Sequence, residues 1–216
     1  CADETLSNLY IRLALCSSFD RSQLGISESF AAASGLLPSC CRTGGESYRE
    51  RAGSADFVAY NSEKASSYWN TGLTSLGQSS VKLTVLCSSE NEKTVRRLLQ
   101  FWQQSFGISV TVTAQVVEPV DLQKAVAGGN YQIALAPVTA SSVSAAASLT
   151  EYSPESGKNI FGFFSDAYGN IVHSAFRAGS SSSAAEGCRT AESFLMQNGV
   201  VYPFYEISEH LVFAGN

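Results

Sequence analysis

The chain has 216 residues, 44% hydrophobic and 15% charged, with a formal net charge of −5. That is apolar material enough for the core of one large domain or two small ones. Basic residues are outnumbered and cluster nowhere beyond Arg96-Arg97, so the basic face that nucleic acid requires is absent, and no apolar run approaches the roughly 20 residues that cross a bilayer as a helix.

In chain order, Leu6, Leu9, Tyr10 and Leu13 recur at helical spacing and predict an amphipathic helix over 6–16. Ser17-Ser18-Phe19-Asp20 breaks it, and a second short helix is expected from Asp20. Residues 34–53, with Pro38 and Gly44-Gly45, read as a long irregular connection. An N-cap candidate in Tyr60-Asn61-Ser62-Glu63 opens a helix through Lys64, Ala65, Tyr68, Trp69 and Leu73, ended near Gly77.

The middle of the chain carries the clearest pattern. Val81, Leu83 and Val85 alternate with Lys82 and Thr84 as a half-buried strand does. Val95, Leu98, Leu99, Trp102 and Phe106 then fall on one helical face, stopped by Gly107. Ile108, Val110 and Val112 alternate with polar residues as a second strand, which completes a βαβ unit in which Trp102 is expected to be buried.

Residues 121–126 predict a short helix closed by Gly128-Gly129, and 131–138 a buried strand stopping near Pro137. Small residues fill 139–148, where periodicity does not choose between helix and loop. Residues 184–197 read as a helix stopped by Asn198-Gly199, preceded by a flexible-looking linker over 180–183; 200–205 and 211–213 read as short closing strands.

The six cysteines (Cys1, Cys16, Cys40, Cys41, Cys87 and Cys188) contain no C-x-x-C pair, and His173 and His210 lack paired-ligand spacing. No metal site is expected, and the thiols are read as buried or idle. A lipid anchor on Cys1 is disfavoured, because apolar helical spacing starts at Leu6 with no polar tether between. No nucleophile elbow, phosphate loop or histidine-centred motif is present, so no catalytic residue and no cofactor are expected. Asp166 is read as a helix N-cap.

Taken together, the segments resemble the carboxyl-terminal lobe of the family 5 solute-binding proteins, the oligopeptide- and dipeptide-type receptors of ABC importers. The resemblance rests on Tyr10-Ile11-Arg12-Leu13-Ala14-Leu15 with Asp20-Arg21, on Tyr60-Asn61-Ser62-Glu63-Lys64-Ala65 through Leu76-Gly77, and on Trp102, Gly107 and Ile108 between Gln100 and Val110. Gly129-Asn130-Tyr131-Gln132-Ile133-Ala134, Phe164-Ser165-Asp166, and Gly199-Val200-Val201-Tyr202-Pro203-Phe204-Tyr205 continue the same order.

This resemblance implies an α/β fold of the type II periplasmic-binding-protein kind, a single lobe spanning 1–216 with a mixed central sheet flanked by helices. The amino-terminal lobe and export signal are expected to lie outside the chain. The implied function is non-catalytic, extracytoplasmic binding of a peptide or small solute for delivery to an ABC permease, on a protein held at the cell surface through that missing segment. A lone interaction or dimerisation module is the alternative.

The ligand-facing residues implied are Thr139, Ala140, Ser141 and Ser142, past the carboxyl end of the cleft strand. Ser141 stands where the family commonly has an aspartate that pairs with a peptide's free amine. Tolerance of uncharged or blocked solutes is therefore expected.

Overall fold

The computed structural model describes residues 3–24 and 30–206. Cys1, His210 and the strand expected over 211–213 lie outside them. The helix expected over 6–16 is two helices, α1 (Glu4–Ser7) and α2 (Leu9–Ser17). Asn8 leaves helical geometry between them, and its Oδ1 accepts from the backbone N–H of Tyr10 and Ile11. A local side-chain cap thus outcompetes continuous apolar spacing. A 3-10 turn, Arg21–Leu24, takes the place of the helix expected from Asp20.

After β1 (Ala31–Ala32), the segment read as irregular holds a hairpin of β2 (Arg42–Thr43) and β3 (Glu46–Ser47), followed by α3 (Tyr48–Ala52). Gly44 and Gly45, at φ 59° and 87°, form the turn itself. Two left-handed residues in succession match the twist of an antiparallel pair, so the glycines build a hairpin instead of preventing one.

α4 (Ser62–Leu76) is capped by the Asn61 side chain and closed by left-handed Gly77, as expected. β4 (Val81–Ser88), α5 (Glu92–Phe106) and β5 (Val110–Val117) form the βαβ unit, with the two strands parallel from Val81↔Val110 to Ser88↔Val117. Ile108 sits before the strand in a 3-10 turn and is fully exposed, because Gly107 at φ 58° redirects the chain. α6 (Pro119–Ala127) and β6 (Ile133–Leu135) follow, and the sheet order is β5-β4-β6 with all neighbours parallel. β6 is shorter than the 131–138 strand expected and is half-buried throughout.

The remaining elements are α7 (Ala145–Thr150), α8 (Asp166–Phe176), α9 (Ser181–Gln197) and β7 (Tyr205–Glu206), which pairs antiparallel with β1. Ser180, read as part of a linker, accepts from Ser183 N and caps α9, so 181–183 are its first turn. Ser165 fills the N-cap position expected of Asp166, which is the first residue of α8. Of the strand expected over 200–205 only Tyr205 is paired. The fold is α/β as expected, with parallel and antiparallel pairing in separate sheets.

Two hydrophobic clusters result. In the first, the apolar faces of α2, α4 and α5 meet Val81, Leu83, Val85 and Cys87 on one face of β4. Trp102 is buried there and donates from Nε1 to Leu15 O at 3.1 Å, while Trp69 stacks on Phe106 and donates to Ser109 Oγ. The second cluster joins α3, α7, α8 and α9 with Leu36 and Leu37. Inside it Glu192 accepts from Leu37 N, Tyr48 Oη and Arg49 Nη2, each at 2.6 Å. Cys16, Cys41, Cys87 and Cys188 are buried and Cys40 is exposed, all of them free thiols.

Candidate ligand-facing loop

β6 ends at Leu135, and the chain runs on without regular structure to Ser144, which caps the start of α7 with its Oγ accepting from Ala147 N. This run lies beyond the carboxyl end of a parallel strand, the position where open α/β sheets bind ligands. It is anchored from below. Val138 and Ala140 pack on the second cluster, and Arg42 N donates to Val143 O at 2.7 Å.

The four residues implied by the resemblance have different surroundings. Thr139 and Ser141 are exposed, while Ala140 and Ser142 are half-buried. Ser142 is committed to holding the loop: its N–H donates to Ser148 Oγ, its carbonyl accepts from the same hydroxyl at 2.9 Å, and its own Oγ accepts from Ser144 N. Only Thr139 and Ser141 are placed to present hydroxyls outward.

The structure also brings Glu151 to this loop. Its carboxylate accepts from Lys158 Nζ at 2.7 Å and lies close enough to Ser141 to feel its hydroxyl. The Lys158 hydrogen bond, with help from Ser141, holds that carboxyl below its ordinary range, so it is charged at neutral pH. The loop is therefore not lined by hydroxyls and backbone alone. No sequence signal marks this pairing, since the six residues of α7 are what carry Glu151 back to Ser141.

Exposed apolar groups stand nearby in sequence: Val143 in the loop itself and Phe164 before α8. A separate open concavity of about 560 Å³ lies over the sheet, lined among others by Thr84, Gln115, Asp121, Tyr131 and Gln132. Tyr131 donates to Ile160 O at 2.6 Å, and Gln132 is held between Thr84 N and Asp3 Oδ2. Among the described residues no group of three or more His, Cys, Asp or Glu is arranged to hold a metal ion. No helix among them is long and apolar enough to cross a membrane.

No protein-family model matches the sequence, and no curated protein matches it. Solved structures do. The chain superposes on a peptide-binding protein of a peptide ABC transporter with a TM-score of 0.73 at 21% identity, covering 94% of each chain. It superposes on the substrate-binding domain of an oligopeptide ABC transporter from Bacillus anthracis with a TM-score of 0.80 at 18% identity, covering 94% of this chain and 40% of that one. Against OppA of Listeria monocytogenes, solved with bound peptide, the TM-score is 0.77 at 16% identity, again over 94% and 40%. The chain thus has the fold of the first of these structures over nearly its whole length and of part of the other two, of which it spans 40%, and the structures it is similar to are binding proteins.

Proposed function

We propose that this chain is one lobe of an extracytoplasmic solute-binding protein that takes a peptide or peptide-like solute to an ABC permease, without catalysing a reaction on it. One observation carries the reading: 94% of the chain superposes on proteins whose described ligand is a peptide, at TM-scores of 0.73 to 0.80. The complementing lobe and the surface anchor belong to the rest of such a protein. A cleft ligand is enclosed only when both lobes close on it.

The loop assigned to the ligand presents Thr139 and Ser141, with Ala140 and Ser142 holding its backbone. Glu151 stands behind Ser141, but Lys158 already compensates its charge. A peptide's ammonium group gains little there over an acetylated one, so blocked and free peptides bind alike. The test is calorimetry on the two-lobed protein with free-amine and acetylated peptides, for the parent, Ser141→Ala and Lys158→Ala. Removing Lys158 leaves Glu151 free to pair with an amine, and the preference for free-amine peptide is expected to rise about fivefold, the scale of one exposed ion pair. A parent with strong free-amine preference that neither substitution alters would place the amine elsewhere and remove this loop from the site.

A further inference from the structure

Among the described residues β5 is bonded to β4 on one side only, so along its eight residues alternate peptide N–H and C=O groups point outward unpaired. Edges of this length are ordinarily blunted by charge, proline or a covering element. Here no ionisable residue occurs between Arg97 and Glu118, and the edge reads Val-Thr-Val-Thr-Ala-Gln-Val-Val from Val110 to Val117, in which the valines and threonines favour strands. Fully exposed Ile108 precedes it, and exposed Val116 and Val120 stand at its far end. A groove of about 270 Å³, lined by Arg96, Leu99, Gln100, Gln103 and Val112, runs between α5 and the same strand.

We propose that β5 is a docking edge for a second copy of this chain, two β5 strands pairing antiparallel about a twofold axis to give one six-stranded sheet. The sequence of the edge is what selects a second copy. A twofold perpendicular to the sheet keeps each face continuous and pairs residues of the same parity. Centred on Thr113, it places Thr111 opposite Gln115 on the solvent face, where all three side chains are exposed. On the face toward α5 it places Val110 opposite Val116 and Val112 opposite Ala114. From Val110 to Val116 polar meets polar and apolar meets apolar, with no charge on these residues to repel its own copy, and the groove beside Val112 leaves room for the partner's apolar row. Cross-strand pairs of this kind are the unit of sheet stability. This inference rests on the edge alone and stands whether or not the chain binds a solute.

The test is sedimentation velocity on the 216-residue chain over a concentration series. The parent is expected to show a concentration-dependent dimer. Thr111→Lys with Gln115→Lys sets lysine against lysine in both solvent-face pairs and is expected to leave only monomer. Thr111→Lys with Gln115→Glu sets lysine against glutamate in the same register and is expected to restore the dimer at low salt, with circular dichroism confirming that both double variants fold. A parent that stays monomeric, a dimer indifferent to the two lysines, or a charge-paired variant no better than the lysine pair would each overturn the proposal.

Discussion

Among the described residues Glu192 is the only acidic side chain with no solvent exposure. It lies on α9, yet its three hydrogen bonds all reach back across more than 140 residues, to Leu37 N, Tyr48 Oη and Arg49 Nη2. Arg49 also donates to Leu37 O at 2.9 Å, so the pair fixes both the 36–41 segment and α3. Burial, with the Glu192 charge and hydrogen bond next, pushes the Tyr48 hydroxyl far above its ordinary range, so Tyr48 stays a donor. Glu192→Ala strands the Arg49 guanidinium, a phenol and an amide N–H together, and is expected to cost about 3–5 kcal/mol in urea unfolding. Glu192→Gln is expected to lose less, because an amide oxygen in the place of Oε1 still accepts from both Leu37 N and Arg49 Nη2, and only the Tyr48 hydroxyl, which donates to Oε2, loses its acceptor to the NH₂. A loss under about 1 kcal/mol for the alanine variant would mean that Arg49 escapes to water, against the geometry seen.

At the scale of elements, α8 and α9 approach so closely that a Cβ on Gly187 meets Ala175 Cβ at 2.7 Å and Ala175 Cα at 3.0 Å. The second of these is backbone and cannot rotate away. Gly187→Ala gains about 1 kcal/mol of helix propensity but forces the helices apart, and overpacking of this kind costs about 1–3 kcal/mol. A net fall in the urea midpoint is expected, and a rise would show that the helices slide freely past each other. The closeness has no mark in the sequence beyond a glycine inside an apolar helical pattern. What was legible was periodic: α5 announces itself through five apolar residues on one face, α4 through its cap and stop, and α9 through its apolar spacing and its stop. What was not legible was chosen by local hydrogen bonds or by chain reversal. Asn8 divides a helix because its side chain finds two backbone donors, Ser180 converts a serine run into a helix start, and Gly44-Gly45 makes a hairpin only because Arg42 and Ser47 come into register. The site shares this division. Its place after β6 follows from strand order, whereas the Glu151 contact with Ser141 depends on the reversal through α7.

On the scale of the whole molecule, the two hydrophobic clusters need something to make them unfold together, and Arg12 is built for it. From α2, in the first cluster, its Nη1 donates to Leu6 O and Ser7 O, holding the break between α1 and α2, while Nε donates to Asn198 O at the end of α9 at 2.9 Å. Its guanidinium also stands over the ring of Phe163, which packs on the second cluster. Gly199 completes the junction, with φ 62° and its Cα hydrogen facing Arg12, where a Cβ would meet the arginine at 2.8 Å. The planar fork reaches all three carbonyls at once, which a single ammonium does not. Both tryptophans of the chain, Trp69 and Trp102, belong to the first cluster, so their fluorescence follows that cluster alone, whereas far-ultraviolet circular dichroism also follows α7, α8 and α9. In the parent the two signals are expected to change at one urea concentration, as a cooperative unit requires. Arg12→Ala is expected to lower stability by about 2 kcal/mol and to separate the two transitions, and Arg12→Lys to recover less than half of the loss. Coincident transitions in Arg12→Ala would assign the coupling instead to the paths through Tyr202, which bonds Val58 O, and through Asp56, whose N–H donates to Ser193 Oγ.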